Sequence, residues 1–458
     1  MTLLASQLAN LIGPENVRSD TAALEAYSHD ATPLFRGLPE VIVTPHSTYE
    51  VGQIVRYACD TGTPIIPRGA GSNLCAATVA LNGGIVMSMA KMNTILEISP
   101  SEMLAVVQPG VTNLHLDTEV AKYNLMFVPD PGSRNVSTIG GNAATSAGGL
   151  RGLKYGTTKN YVLGLEVVLG TGESIRTGGR LVKDVAGYDL TRLLVGSEGT
   201  LGVFTEITVV LVPRPEESKY GIAYFEDLAS ACAAVEQIIT SGIQPSTLEF
   251  LDNTCITAVE DFAHLGLDLD AGALLLFGDH GDTGYVEHIV EKMAKIVSSV
   301  SGCREVTLAA DVAAAGELLY ARRCSLPALA RLGTLSILED ISVPRRKMAE
   351  TVKRIEQIAL THSLKIGTFG HAGDGNLHPT IVIDKDDPIA LASVESALSE
   401  IFALALEMGG TITGEHGVGS AKLPYLEARL GSIQMELQRS IKKVFDPSGI
   451  LNPGRLGS

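Results

Sequence analysis

An α+β fold of two domains and a short carboxy-terminal tail is predicted for this 458-residue chain, and three observations predict it. Near the amino terminus a strand, a helix and a second strand run into a glycine loop. Between Gly84 and Pro213 short β-rich runs are separated by glycine turns. Beyond Pro215 helices alternate with strands, the pattern of helices packed on one antiparallel sheet.

The leucines of Leu3 to Ile12 recur at helical spacing and stop at Gly13-Pro14. Glu40 to Thr44 reads as a strand, Thr48 to Asp60 as a helix, and Pro64 to Pro67 as a strand leading into a glycine loop. The glycine-dense stretch supplies strands at Ile85 to Met89, Ala105 to Gln108, Leu165 to Leu169 and Val203 to Val212. Pro213-Arg214-Pro215 and the polar residues after it end the last strand, because proline removes a ladder donor, and they mark a domain boundary. Helices then read at Asp227 to Thr240, Val286 to Val300, Val312 to Leu319, Lys347 to Thr361 and Ala390 to Met408. Strands between them read at Ala273 to Phe277, Leu335 to Leu338, Lys365 to Thr368 and Leu377 to Ile383. The tail is a helix, Gln434 to Val444, and a turn-rich end, so the expected divisions are 1–215, 216–425 and 426–458.

A net charge of -16 repels phosphate backbones and anionic headgroups, and no Lys/Arg stripe overrides it, so no nucleic-acid partner is expected. An acidic protein acting on an anion must concentrate positive charge locally. The six cysteines are scattered, without a Cys-x-x-Cys pair, which excludes a cluster site or a structural zinc. Met1 to Asn16 lacks a basic n-region, and no apolar run approaches the ~20 residues of a membrane span. A cytoplasmic location with no transmembrane segment is the expectation.

Pro67-Arg68-Gly69-Ala70-Gly71-Ser72-Asn73 presents unhindered backbone N–H groups in a turn, as phosphate-binding nests do, although alone it reads more readily as a plain β-turn. Two more small-residue segments follow: Asp130-Pro131-Gly132-Ser133 with Ser137 to Gly149, and Gly196 to Gly202. Three such loops over one domain suit a long dinucleotide, since a single phosphate needs only one. The first loop lacks the third glycine of G-x-G-x-x-G, so it is not the Rossmann type and a nicotinamide cofactor loses its support.

On these three segments, roughly Glu40 to Pro213 resembles the FAD-binding domain of the vanillyl-alcohol oxidase superfamily, the PCMH type, which is built of two subdomains. The resemblance implies FAD contacts at Pro67, Arg68, Gly69, Ala70, Gly71, Ser72, Asn73, Asp130, Pro131, Gly132, Ser133, Thr138, Gly140, Gly141, Asn142, Ser146, Gly148, Gly149, Tyr155, Glu198, Gly199, Gly202, Val203 and Asn452. Members with covalent flavin carry a His after the first loop or a Cys in the second; Ser72-Asn73 and Pro131 to Gly141 offer neither, which implies non-covalent FAD.

His371 and His378 flank a glycine turn, Ala372-Gly373-Asp374-Gly375-Asn376-Leu377, between two predicted strands, so folding the turn brings both imidazoles together. Glu415 and His416 lie in a second glycine-rich segment, Thr413 to Gly419. Two histidines and a carboxylate leave positions open, as a catalytic Zn²⁺, Mn²⁺ or Fe²⁺ requires. Hydrogen-bonded turn histidines are the alternative, and Asp374 and Asn376 read as turn formers. His29, His115 and His280 lack such company and read as structural.

The His371 to His378 segment, Gly414 to Gly417 and the ending Leu451-Asn452-Pro453-Gly454 are similar to the carboxy-terminal domain of the FAD-dependent D-lactate dehydrogenase, D-2-hydroxyglutarate dehydrogenase and glycolate oxidase catalytic-subunit group. That resemblance implies an α+β substrate (cap) domain on an antiparallel sheet, with the tail returning to the FAD domain. It implies metal ligands at His371, His378 and Glu415, His416 as base, and Arg322 as the carboxylate-gripping arginine. An exposed helix arginine is the alternative reading of Arg322, and Arg323 reads as solvated.

The implied reaction is oxidation of a small D-2-hydroxy acid to the 2-oxo acid, with hydride passing to flavin N5. The 2-hydroxyglutarate enzymes carry a lysine where this chain reads Ser336-Ile337-Leu338-Glu339-Asp340, so glycolate or D-lactate is favoured over a dicarboxylate. A 2-hydroxyglutarate dehydrogenase and an FAD-binding electron-transfer subunit stay as alternatives. The histidine run of an alkyl-glycerone-phosphate synthase is absent, and an enolpyruvyl reductase would lack the metal loop. Electrons need a separate acceptor; the resemblance implies an iron–sulfur subunit and a second FAD-binding subunit, with membrane association through a partner.

Overall fold

A computed structural model describes residues 2–457. The chain forms two compact units, the first of Met1–Gly149, Thr157–Arg214 and Glu415–Ser458, the second of Leu150–Gly156 and Pro215–Gly414. These divisions differ from 1–215, 216–425 and 426–458 at two places, for identifiable reasons. The 150–156 segment goes to the second unit because Lys154 donates to Asp279 at 2.7 Å and Tyr155 Oη lies 2.7 Å from His280 Nε2. Residues from Glu415 onward go to the first because Glu198 accepts from the Val418 and Gly419 amides, each at 2.7 Å.

The first unit holds two larger sheets and a two-stranded pair of Leu125–Met126 with Val212–Pro213. In one the order is Val17–Arg18, Val41–Val43, Ile85–Ser88, Ile65–Arg68, with the last three strands parallel. Parallel strands need a crossover, and the Thr48–Thr61 helix carries the chain from Val41–Val43 to Ile65–Arg68, across the position that Ile85–Ser88 fills. Ser47 accepts from the Glu50 amide to start that helix, Gly62 at φ 66° stops it, and Val51, Ile54, Val55 and Ala58 form its buried stripe. Burying each of the branched side chains contributes about 1.5–3 kcal/mol. The tail returns to the same sheet, since the Ile65 amide donates to Ile450 at 2.8 Å and the Asn452 amide to Ile65 at 2.7 Å. The second sheet is antiparallel, ordered Ile95–Ser99, Leu104–Val107, Val203–Val210, Val162–Val168, Ser174–Gly178.

The second unit is built on one antiparallel sheet ordered Cys303–Leu308, Glu217–Phe225, Ala273–Gly281, Thr247–Asp252, Lys365–His371, Asn376–Ile383, Leu335–Leu338; Ile341–Ser342 also pairs with Asn376–Ile383. Four of these strands, Glu217–Phe225, Thr247–Asp252, Cys303–Leu308 and the short Ile341–Ser342, are absent from the sequence reading, as is the Asn253–Ala263 helix. Buried acidic residues hide the central one: Glu249 and Asp252 break its apolar pattern, yet every residue of Thr247–Asp252 is buried.

One helix bears on the membrane reading. Pro388–Glu407 has 20 residues and is long and apolar enough by length and composition to cross a bilayer. It escapes a search for uninterrupted apolar runs because Glu395 and Glu400 divide it. Val394, Ala397, Ile401, Phe402, Leu404 and Ala405 are buried at helical spacing while both glutamates are exposed, so within its unit it packs as an amphipathic helix.

Candidate active site

In the first unit the three glycine segments converge. Gly69 lies so close to Thr138 that a Cβ would collide with its hydroxyl, and a Cβ on Gly199 would lie 3.2 Å from Pro67. The Gly196 and Glu198 amides donate to Ala143 and Ala144 at 2.9 and 2.8 Å, which joins the third segment to the second. Thr138 caps the Ile139–Thr145 helix by accepting from Gly141 at 3.1 Å. Gly140 packs on Pro109, and Gly149, at φ 138°, sits against the Asp130 carbonyl, where only glycine fits. Asn142 Nδ2, Ser137 Oγ and Ser197 Oγ are buried there with no protein partner among the described residues. A cradle of small residues with orphaned donors fits a polar dinucleotide such as FAD.

Several predicted contact residues spend their side chains on contacts within the protein. Arg68 is buried and donates to the His29 carbonyl at 2.8 Å, beneath a cation–π contact with Tyr27 at 5.2 Å. The Glu198 side chain turns to Val418 and Gly419, and burial pushes its carboxyl up while those amides pull it down. Asn452 Nδ2 braces the Ala77 and Glu198 carbonyls at 3.0 and 2.7 Å. Tyr155 belongs to the second unit, its ring stacked on His280 at 5.4 Å, and is not among the cradle segments. Of the remaining first-unit residues, Asp130 pairs with Arg134 at 3.2 Å, Ser146 Oγ meets Thr157 at 3.0 Å, and Gly202 packs on Val167.

In the second unit the predicted hairpin forms, with Phe369 opposite His378 and His371 opposite Asn376. Strand side chains alternate faces, so His371, two residues from Phe369, shares a face with His378. The rings meet edge to face at 5.2 Å, and one ligand nitrogen from each lies within 4.8 Å of the other. Asn376 is more than a turn former: Nδ2 holds Asp340 Oδ1 at 2.5 Å and the Ile341 carbonyl at 2.9 Å.

Two acidic residues that sequence reasoning missed organise this site. Glu249, opposite His371 on the neighbouring strand, places Oε1 2.7 Å from His371 Nδ1 and accepts from Arg322 Nε at 2.8 Å. Asp340, fully buried, accepts from Asn376, from Thr413 Oγ1 at 2.6 Å and from the Gly414 amide at 2.8 Å, and lies 3.9 Å from His378 Nδ1. His378 Nδ1 also lies 3.3 Å from the Glu339 carbonyl. With both Nδ1 positions turned to oxygen, each ring offers Nε2 as ligand, so the pair fits a divalent cation.

Arg322 is buried at 7% exposure, not an exposed helix arginine. Its guanidinium lies 4.6 Å over the Phe369 ring, and both terminal nitrogens are without a protein partner among the described residues. Neither is sealed from solvent. Glu415 and His416 follow Gly414 directly, in the first unit, with His416 Nε2 3.7 Å from Glu415 Oε1; a Cβ on Gly148 would lie 2.5 Å from Glu415 Oε2.

Residues 214–456 match the family described as FAD linked oxidases, C-terminal domain, and residues 39–178 match the FAD binding domain. The chain belongs to the FAD-linked oxidases. This FAD-linked oxidase is 47% identical over 450 residues to a protein of Bacillus subtilis (strain 168) named glycolate oxidase subunit GlcD, covering 98% of this chain and 96% of that one. It is 35% identical over 457 residues to a D-lactate dehydrogenase of Anaerostipes hadrus, covering 97% and 95%. A solved p-cresol methylhydroxylase with substrate bound superposes with a TM-score of 0.84 at 18% identity, covering 99% and 96%, which shows a shared fold. The FAD-linked oxidase is thus an FAD-binding oxidoreductase with the vanillyl-alcohol oxidase fold, as its loops imply, and its relatives support oxidation of a hydroxy acid.

Proposed function

We propose that this FAD-linked oxidase converts a small D-2-hydroxy acid, glycolate or D-lactate, to the 2-oxo acid at a divalent cation held by His371, His378 and Glu415, with FAD bound non-covalently. The observation that carries the reading is Arg322, a buried guanidinium with both terminal nitrogens available, beside two histidines of the same unit. An anionic substrate needs such a fork in a protein of net charge -16. Asp340 accepts from the Gly414 amide and lies 3.9 Å from His378 Nδ1, and Glu415 and His416 are the next residues in the sequence.

A bound flavin would supply a hydride acceptor at N5, and a cation such as Zn²⁺, Mn²⁺ or Fe²⁺ held by His371, His378 and Glu415 would supply Lewis acidity toward the substrate hydroxyl. Arg322 grips the substrate carboxylate with its terminal nitrogens and fixes which face of C2 is presented. His416 takes the hydroxyl proton on a ring nitrogen as C2 loses its hydride. The Leu335–Leu338 strand and the Glu339-Asp340 pair after it carry no lysine for a second carboxylate, which favours a monocarboxylic substrate. Electrons then pass to a separate acceptor, for which we propose an iron–sulfur subunit and a second FAD-binding subunit, in the cytoplasm with membrane association through a partner.

Anaerobic addition of D-lactate or glycolate to the flavin-loaded protein is expected to bleach the visible flavin band. Absence of bleaching with every 2-hydroxy acid tried leaves the electron-transfer-subunit reading in its place.

A further inference from the structure

We propose that Glu249 is a positioning residue that sets His371 as a cation ligand and Arg322 as an anion fork, so that binding at the two groups is coupled through one buried carboxylate. The inference rests on the cation site proposed above and adds a residue and a linkage to it.

Glu249 occupies the middle of the Thr247–Asp252 strand, opposite Leu276 on one side and His371 on the other. Its side chain is 1% exposed, and its two oxygens have different partners. Oε1 meets His371 Nδ1 at 2.7 Å, and Oε2 meets Arg322 Nε at 2.8 Å. An ionised carboxylate only accepts, so it fixes a proton on His371 Nδ1 and leaves the lone pair on Nε2, where a cation binds. Because the arginine is held through Nε alone, both terminal nitrogens stay available to a second carboxylate. One rigid acid therefore holds the cation ligand and the anion fork in register.

Glutamine cannot do both, since its amide offers one acceptor and one donor at the two positions where the site needs acceptors. The charged guanidinium makes the stronger claim on the amide oxygen, which turns the NH₂ toward His371. The ring must then accept at Nδ1 and carry its proton on Nε2, the tautomer that cannot ligate. Replacing Arg322 as well frees the amide oxygen to face His371 and restores the ligating tautomer.

The test is calorimetric titration of flavin-loaded, metal-stripped full-length protein with Mn²⁺, with pyruvate as an unreactive 2-oxo acid, and with each in the presence of the other. Wild type is expected to bind Mn²⁺ and pyruvate with mutual enhancement. Glu249→Gln is expected to lose Mn²⁺ affinity by roughly ten- to a hundredfold and to lose the enhancement. The double variant Glu249→Gln with Arg322→Met is expected to regain most Mn²⁺ affinity and to lose pyruvate binding. Flavin content and melting temperature report folding, and if the single variant does not hold flavin the double variant carries the test. Wild-type Mn²⁺ affinity in folded Glu249→Gln, or a double variant that binds Mn²⁺ no better than the single, overturns the proposal. A wild-type protein that binds no Mn²⁺ overturns the cation site itself, a separate outcome.

Discussion

The two units build their sites from different materials. In the first, glycine and small hydroxyl residues bring backbone amides together, and the larger side chains nearby, Arg68, Glu198 and Asn452, brace the loops. In the second, side chains form the site: His371, His378 and Arg322 are set by Glu249, on the Thr247–Asp252 strand, and by Asp340, between the Leu335–Leu338 and Ile341–Ser342 strands. A backbone-built site tolerates side-chain loss but not added bulk, and a side-chain-built site behaves the opposite way.

The largest effect that comparison predicts is at His378. His378→Ala should slow flavin reduction by D-lactate or glycolate by about a thousandfold or more, roughly 4 kcal/mol in the barrier, while flavin content stays at the wild-type level. A rapid-mixing measurement with an absorbance spectrum of the purified protein checks both halves. Loss of flavin along with activity would mean that the two sites do not separate as described.

Next is Asp340→Ala, which leaves the Asn376, Thr413 and Gly414 donors without their shared, fully buried acceptor. A loss of about 3 kcal/mol in urea unfolding is expected from stranding buried donors. In the backbone-built unit the matching test adds bulk. Gly69→Ala drives a methyl into the Thr138 hydroxyl and should weaken FAD binding by about tenfold, roughly 1.4 kcal/mol, while Gly179→Ala, where a Cβ meets nothing within 4 Å, should leave it unchanged. Flavin fluorescence during dilution reads the difference.

The same contrast explains what was legible in the sequence. Glycine clusters are local signals, so the FAD loops, the crossover helix and the histidine hairpin could be read directly. Glu249 could not, because its partners lie 122 and 73 residues away and its strand breaks the apolar pattern that marks a strand. The signal for it is indirect: an acid inside Ser246 to Phe250, flanked by apolar residues, needs a buried cation or histidine to pair with. Lys154 and Tyr155 are a similar case: they follow a glycine-rich block in sequence, and their partners Asp279 and His280 lie 125 residues away.

The smallest predicted effect is a nearly flat wild-type pH profile, produced by two titrating groups that the side-chain-built unit buries with opposite consequences. Burial raises Asp252 to about 6, against the amide bonds from Cys255 and Thr368. Burial, then Arg151 and Lys154, lowers His280 to about 4. The raised carboxyl makes the folded state bind more protons than the unfolded one, so its contribution is present at low pH and is lost as pH rises through about 6. The depressed imidazole binds fewer, so its contribution is present above its ordinary 6.5 and is lost as pH falls toward about 4. The two slopes oppose each other across the same window, and wild-type stability should change little there on their account. Asp252→Asn, which keeps the helix cap, should expose the histidine term, with stability falling on acidification by about 1–3 kcal/mol. His280→Asn should expose the carboxyl term, with stability rising on acidification. Urea unfolding at several pH values between 4 and 6.5 reads both slopes, and parallel profiles for the two variants would show that these groups do not titrate against each other.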